Sequence, residues 1–154
     1  MNNIYFIIAQ SGSGKTSICN LLKEKYNITF DEYNNCATTE QVENNDLYII
    51  DPKGIDFFME SYKGNKMPKV IFISSNMTTR YERMKSRAEE NGITFTEAVN
   101  SSLSRITNDV IEFYDYIHNN AHVDFKVTND DDCDINSVVD KVYGYIRSCE
   151  GGDA

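Results

Sequence analysis

The stretch Ala9-Gln10-Ser11-Gly12-Ser13-Gly14-Lys15-Thr16 constrains this chain more than any other. Before it runs Ile4-Tyr5-Phe6-Ile7-Ile8, apolar enough for a strand buried on both faces. After it, residues 17–26 carry Ile18, Leu21 and Leu22 at helical spacing. Strand, glycine-bearing loop, Gly-Lys-Thr and helix together make the context that a phosphate-binding loop requires. Glycines let backbone N–H groups turn inward around a phosphate chain, and the helix N-terminus adds partial positive charge. Lys15 can reach the outer phosphates, and the Thr16 hydroxyl can hold Mg²⁺. Such loops usually open on Gly, whereas Ala9 stands here; its Cβ is a strain only if φ must be positive. The alternative is a chance Gly/Ser turn between strand and helix.

The chain has 154 residues, enough for one domain, expected over residues 1–150 with a frayed tail at 151–154. Its net charge of −9 argues against a nucleic-acid partner, since such binding rests on neutralising phosphates. It leaves nucleotide binding open, because that needs only a local positive site. No apolar run approaches the roughly 18 residues of a membrane span, and no signal peptide is expected. The four cysteines, Cys19, Cys36, Cys133 and Cys149, form no Cys-x-x-Cys pair. Reduced thiols in a cytoplasmic protein, monomer or homodimer, are the expectation. His118 and His122 stand four apart, so a metal pair is an alternative to a helix end near Asn119-Asn120.

Strand and helix signals alternate along the whole chain. A short strand is expected at residues 28–33, a turn at Asn34-Asn35, and a short helix ending at Glu43, capped by Thr38 or Thr39. Leu47-Tyr48-Ile49-Ile50 reads as a strand stopped by Pro52, with Asp51 at its carboxyl end. That edge of an α/β sheet is where ligands bind, so Asp51 is a candidate ligand of Mg²⁺ or its water shell; the alternative is a cap for the helix at residues 55–62. A strand follows at residues 70–73, then a helix from Thr78 or Thr79, stopped by Asn91-Gly92, then a helix from about Glu97 to His118. A strand at residues 122–128, an acidic turn at 129–134 and an amphipathic helix complete the pattern. The acidic turn is a solvated cap or, alternatively, a Ca²⁺ loop, although it lacks the EF-hand glycine and distant glutamate. Alternation of this kind predicts a three-layer α/β P-loop NTPase fold, its mainly parallel five-stranded sheet carrying the loop at its middle. Arg80, Arg83 and Arg87 share one helical face and Arg105 follows on the next helix. They are either a solvated face paired with Glu82, Glu89 and Glu90 or a basic lid for a phosphoryl group.

In several places, in order, the chain resembles the guanylate kinases, a family of P-loop nucleoside monophosphate kinases. The matching segments are Ser11 to Thr16, Ala37-Thr38, residues 47–54, Arg83, Arg87, Arg105, and Val127-Thr128-Asn129-Asp130. The resemblance implies ATP and Mg²⁺ as cofactors and GMP or dGMP as first acceptor. It implies nucleotide contacts from Ser11, Gly12, Ser13, Gly14, Lys15, Thr16, Ser17 and Asn129. Lys15, Arg83, Arg87 and Arg105 would act on the transferring group, the arginines in a lid at about residues 77–108. Glu32, Tyr33, Thr38 and Asp51 would face the acceptor, within a segment at about 28–45, and Thr16 and Asp51 the metal. The family's GMP-binding insertion, with its Thr-Thr-Arg-Pro-x-Arg stretch, is missing: Tyr26 runs almost directly into Phe30, and Thr38-Thr39-Glu40 carries no arginine. An ATP-dependent kinase for a nucleoside monophosphate is therefore one expectation. An ATP-binding module without transfer activity is a second, and a P-loop kinase for an unrelated acceptor a third.

Overall fold

A computed structural model describes residues 2–33, 38–119 and 121–151 of the chain. The turn expected at Asn34-Asn35, together with Cys36, Ala37, Asn120 and the last three tail residues, lies outside them. Strand β1 (Asn3–Ala9) leads through the glycine loop into α1 (Lys15–Tyr26), followed by β2 (Phe30–Tyr33), β3 (Leu47–Ile50) and α2 (Pro52–Ser61). Then come β4 (Met67–Ser74), α3 (Met77–Glu90), α4 (Phe95–Glu112), α5 (Tyr114–His118), β5 (Phe125–Thr128) and α6 (Ile135–Cys149). The five strands form one parallel sheet in the order β2-β3-β1-β4-β5. β1 is central, so the loop leaves the middle of the sheet as expected.

The period-2 alternation of β1 divides the core. Tyr5, Ile7 and Ala9 pack on one face with Ile18 and Leu22 of α1 and Val138, Val139, Val142 and Ile146 of α6. Ile4, Phe6 and Ile8 pack on the other with Ile55 and Phe58 of α2 and with Phe113 and Tyr116. Beyond the half-buried Asn3 at its start, β1 is buried on both sides from Ile4 to Ala9. The Tyr5 hydroxyl donates to Glu150 Oε2 at 2.7 Å, and the Asn2 amide donates to Glu150 Oε1 at 2.6 Å. These bonds fasten the C-terminal end of α6 to the start of the central strand.

Several expected boundaries move for physical reasons. α3 is capped by Asn76, whose side-chain oxygen accepts from the Thr79 amide at 2.8 Å, and not by Thr78 or Thr79. The helix expected from Glu97 to His118 breaks at Phe113, a ring buried edge-on against Phe72 of the sheet. β5 begins at Phe125 because His122 adopts a left-handed φ of 58°, and the Asp124 carboxylate accepts from the Val70 amide at 2.8 Å in place of a ladder bond. The capping box survives on Thr38: its hydroxyl accepts from the Gln41 amide, and Gln41 Oε1 accepts from the Thr38 amide. It starts only a 3₁₀ turn, Gln41–Glu43.

Candidate active site

Gly12 and Gly14 carry φ of 80° and 87°, values open to glycine at little cost. Ala9 needs no such conformation: it is the last residue of β1, pairs with Ile73, and is not among the positive-φ residues. The missing first glycine therefore introduces no backbone strain. Gly14 sits at the N-cap of α1 and offers no side chain, so the first amides of this helix have no side-chain cap. By contrast, Asp51, Asn76, Thr94 and Asp134 cap α2, α3, α4 and α6. Uncapped amides beside Lys15 form a natural anion site. The loop encloses a cradle of about 260 Å³ lined by residues 10–17 with Arg87 and Arg105. Ser13 Oγ is buried there without a hydrogen-bond partner among the described residues. An orphaned hydroxyl, open amides and clustered cations all fit the phosphate chain of a nucleotide.

The four arginines separate into two pairs. Neither Arg87 nor Arg105 has a carboxylate partner among the described residues, and both side chains stand at the cradle. Arg83 lies behind the loop. It donates to the Gly12 carbonyl at 3.1 Å, to Ser75 Oγ at 3.2 Å and to the Asn129 carbonyl at 2.9 Å, and pairs with Asp131 at 3.2 Å. Arg80 is buried and pairs with Asp109 at 3.3 Å. The expected pairing with Glu82, Glu89 and Glu90 is not what forms, since Glu82 pairs with Lys85. Asn129 is also a brace: its side-chain amide donates to the Ser13 carbonyl at 2.9 Å. With Arg83 and Arg87 it lines a larger cavity of about 690 Å³ that also touches Gly14, Ser17 and Ile135.

The acceptor candidates are dispersed. Glu32 approaches Lys15 at 4.0 Å. Tyr33 stacks on Tyr48 and donates its hydroxyl to the Gln41 carbonyl at 3.1 Å, so it and Thr38 tie β2 to the 3₁₀ turn. Asp51 caps α2, accepting from the Gly54 amide at 2.8 Å, which realises the capping alternative. Asp51 also lines a cavity of about 610 Å³ with Lys53, Asp56, Asn108, Glu112 and Tyr116, which Glu32, Tyr33 and Thr38 do not line. No group of three or more His, Cys, Asp or Glu residues among those described could hold a metal. Thr16 is exposed at the start of α1, where a hydroxyl could complete the shell of a Mg²⁺ held mainly by phosphate oxygens.

Glu112 is solvent-exposed on α4, yet partial desolvation pushes its carboxyl above the usual range; Asp51 and Asp109 add to the shift, while Lys53 and Lys15 oppose it, and solvent screening keeps its effect on stability small. The folded state thus holds this proton more tightly than the unfolded chain. Its contribution to stability is full below the ordinary carboxyl range and is lost as pH rises through the raised value. Glu112→Gln is therefore expected to melt above the wild type at neutral pH, the gap closing on acidification. Thermal unfolding of both proteins across that range checks it.

Sequence reasoning did not single out Gln10, Asp109 or Glu112. Asp109 and Glu112 follow Arg105 by four and seven positions, so they share its helical side, and that spacing was the available signal. Nothing local indicated Ser75. Cys19, Cys133 and Cys149 are free thiols, and no helix among the described residues is long and apolar enough to cross a membrane.

No protein-family model matches the chain, and no curated protein matches it. Solved structures do. A structure described as an uncharacterized protein from Eubacterium ventriosum ATCC 27560 has a TM-score of 0.58 at 15% identity, covering 96% of this chain and 99% of that one. A shikimate kinase from Bacteroides thetaiotaomicron has a TM-score of 0.53 at 13% identity, covering 94% and 98%. A gluconokinase from Sinorhizobium meliloti 1021 has a TM-score of 0.54 at 15% identity, covering 97% and 95%. At such identities the likeness is one of fold: a five-stranded parallel sheet with flanking helices, as in P-loop kinases.

Proposed function

We propose that this chain is an ATP-dependent phosphotransferase acting on a small acceptor. The observation that carries the reading is the cradle of about 260 Å³, where the uncapped start of α1 meets Lys15 and two arginines that have no carboxylate partner among the described residues. Bound Mg·ATP supplies the phosphoryl group and a cation against its outer oxygens. The amides of Gly12 and of Gly14 to Ser17 would hold the phosphate chain, with Lys15 on its outer oxygens, while the Ser13 amide is taken by the Gln10 carbonyl at 3.1 Å. Thr16 would hold Mg²⁺, with Asp51 reaching its water shell. Arg87 and Arg105 would meet the charge that develops on the transferring group, since their planar forks match phosphate oxygens. The cavity flanking Gly14 and Asn129 is the place for the nucleoside. The free thiols of Cys19, Cys133 and Cys149 and the nucleotide chemistry suit a cytoplasmic setting.

The specific form of this reading is a guanylate-kinase-like enzyme that phosphorylates GMP or dGMP, with Glu32, Tyr33, Thr38 and Asp51 facing the acceptor. It rests on the motifs. A second reading is favoured by the Asp51 cavity, where Asp51, Asp56, Glu112 and Asp115 outnumber Lys53. An acceptor hydroxyl on a neutral or cationic molecule suits that lining better than a phosphorylated one, and a carboxylate there could take its proton. The names of two structural neighbours, a shikimate kinase and a gluconokinase, support a small acceptor. ADP release measured with GMP, dGMP, other monophosphates and neutral polyols separates these. Stimulation by GMP or dGMP alone supports the first, stimulation by a polyol supports the second, and ATP binding with no stimulation identifies a binding module.

Arg105→Lys keeps the charge and loses the fork. Turnover should fall about tenfold, the equivalent of one charge-assisted hydrogen bond, while ATP affinity changes less. Steady-state kinetics with direct binding measurements check this.

A further inference from the structure

The loop and the two arginine-bearing helices meet at one buried point. Asp109 of α4 and Arg80 of α3 are each 4% exposed and pair at 3.3 Å. The same carboxylate accepts from the Ser11 amide at 2.7 Å and from the Ser11 hydroxyl at 3.3 Å. Arg80 also donates through Nε to the Ser75 carbonyl at 3.2 Å, at the end of β4. Gly12 lies so close to the Arg80 backbone that a Cβ there would stand 2.7 Å from its carbonyl oxygen. Arg105 is one helical turn before Asp109, and Arg87 two turns after Arg80.

We propose that Asp109 and Arg80 are positioning residues: a neutralised, buried pair that holds the Ser11 end of the phosphate loop and sets Arg105 and Arg87 over the cradle. The proposal rests on the phosphotransferase reading. The Ser11 amide, half-buried, donates to the buried Asp109 carboxylate and so is not spent on phosphate; without that acceptor it would lose its partner. A lone carboxylate so near would repel phosphate; Arg80 cancels that charge. Apolar residues of similar volume would satisfy packing as well, and buried pairs often add nothing to stability over such replacements. What apolar residues would not supply is an acceptor for Ser11.

Two double variants test this. Arg80→Leu with Asp109→Ala removes pair and acceptor together, leaving no unpaired buried charge. Arg80→Gln with Asp109→Asn removes the charges but keeps an oxygen for Ser11. The first should remain folded, with ATP turnover lowered about 100-fold by the misplaced loop and arginines and with KM for acceptor little changed. The second should recover most of that loss. Wild-type turnover in the first variant, or equal loss in both, overturns the proposal. Amide hydrogen exchange at Ser11 reads the same bond without activity: it should be slow in the wild type and in the Gln/Asn variant. Slow exchange in a wild type that transfers no phosphate would remove the phosphotransferase reading and keep the clamp. Fast exchange in the wild type would remove the clamp whatever the activity, and it decides the matter if the Leu/Ala variant does not fold.

Discussion

Lys15→Ala is expected to leave a folded protein that no longer turns over ATP. Lys15 sits at the first position of α1, with its side chain 37% exposed and its ion pair to Glu32 stretched to 4.0 Å. An exposed pair at that distance contributes little to stability, so melting should shift by no more than about 2 °C. The effect on chemistry should be far larger. Among the described residues lining the cradle, Lys15, Arg87 and Arg105 carry positive charge. Removing one preorganised donor from a site where charge develops costs about 100- to 1,000-fold in turnover. Calorimetric titration of Mg·ATP and a coupled ADP assay measure both. An alanine variant that binds ATP as tightly as the wild type would refute the phosphate-loop assignment.

Gly12→Ala should damage fold and site together. The left-handed φ of 80° costs an alanine about 1–2 kcal/mol. The added Cβ would also stand 2.7 Å from the Arg80 carbonyl oxygen, which is backbone at the start of α3 and has no rotamer to change. Overpacking of that kind adds about 1–3 kcal/mol. A loss of about 2–5 kcal/mol in denaturant unfolding is expected, together with weakened nucleotide binding. The obstacle is the very helix that carries Arg87, so relief of the clash must push that arginine off the cradle. Unchanged stability would mean that the loop has room that its backbone contacts deny.

Much of the architecture was legible because it depends on local patterns. The apolar run at Ile4 to Ile8, the Gly-Lys-Thr that follows and the alternation of strand and helix signals suffice for a parallel sheet with a central phosphate loop. The boundaries that moved did so through contacts distant in sequence. Phe113 breaks a helix because Phe72 is beneath it, and Asp124 shortens a strand because its carboxylate reaches Val70. The arginines show the same division. Helical spacing placed Arg80, Arg83 and Arg87 on one side of α3, but a shared side does not tell which guanidinium meets the loop from behind and which from in front.

By itself, then, the amino-acid order determined the strand–loop–helix unit, the glycines at its two left-handed positions, the lysine behind them and the fold class. Tertiary structure alone decided that Arg83 and Asn129 brace the loop, that Arg87 and Arg105 face the cradle, and that Asp51 caps a helix beside a cavity lined by carboxylates. It also decided that Asp109 and Arg80, 29 positions apart, close on each other under Ser11. The reason is one of range. Backbone geometry and hydrophobic period act within a few residues, whereas the partner of a charged side chain is chosen by whichever elements the sheet brings within hydrogen-bond reach.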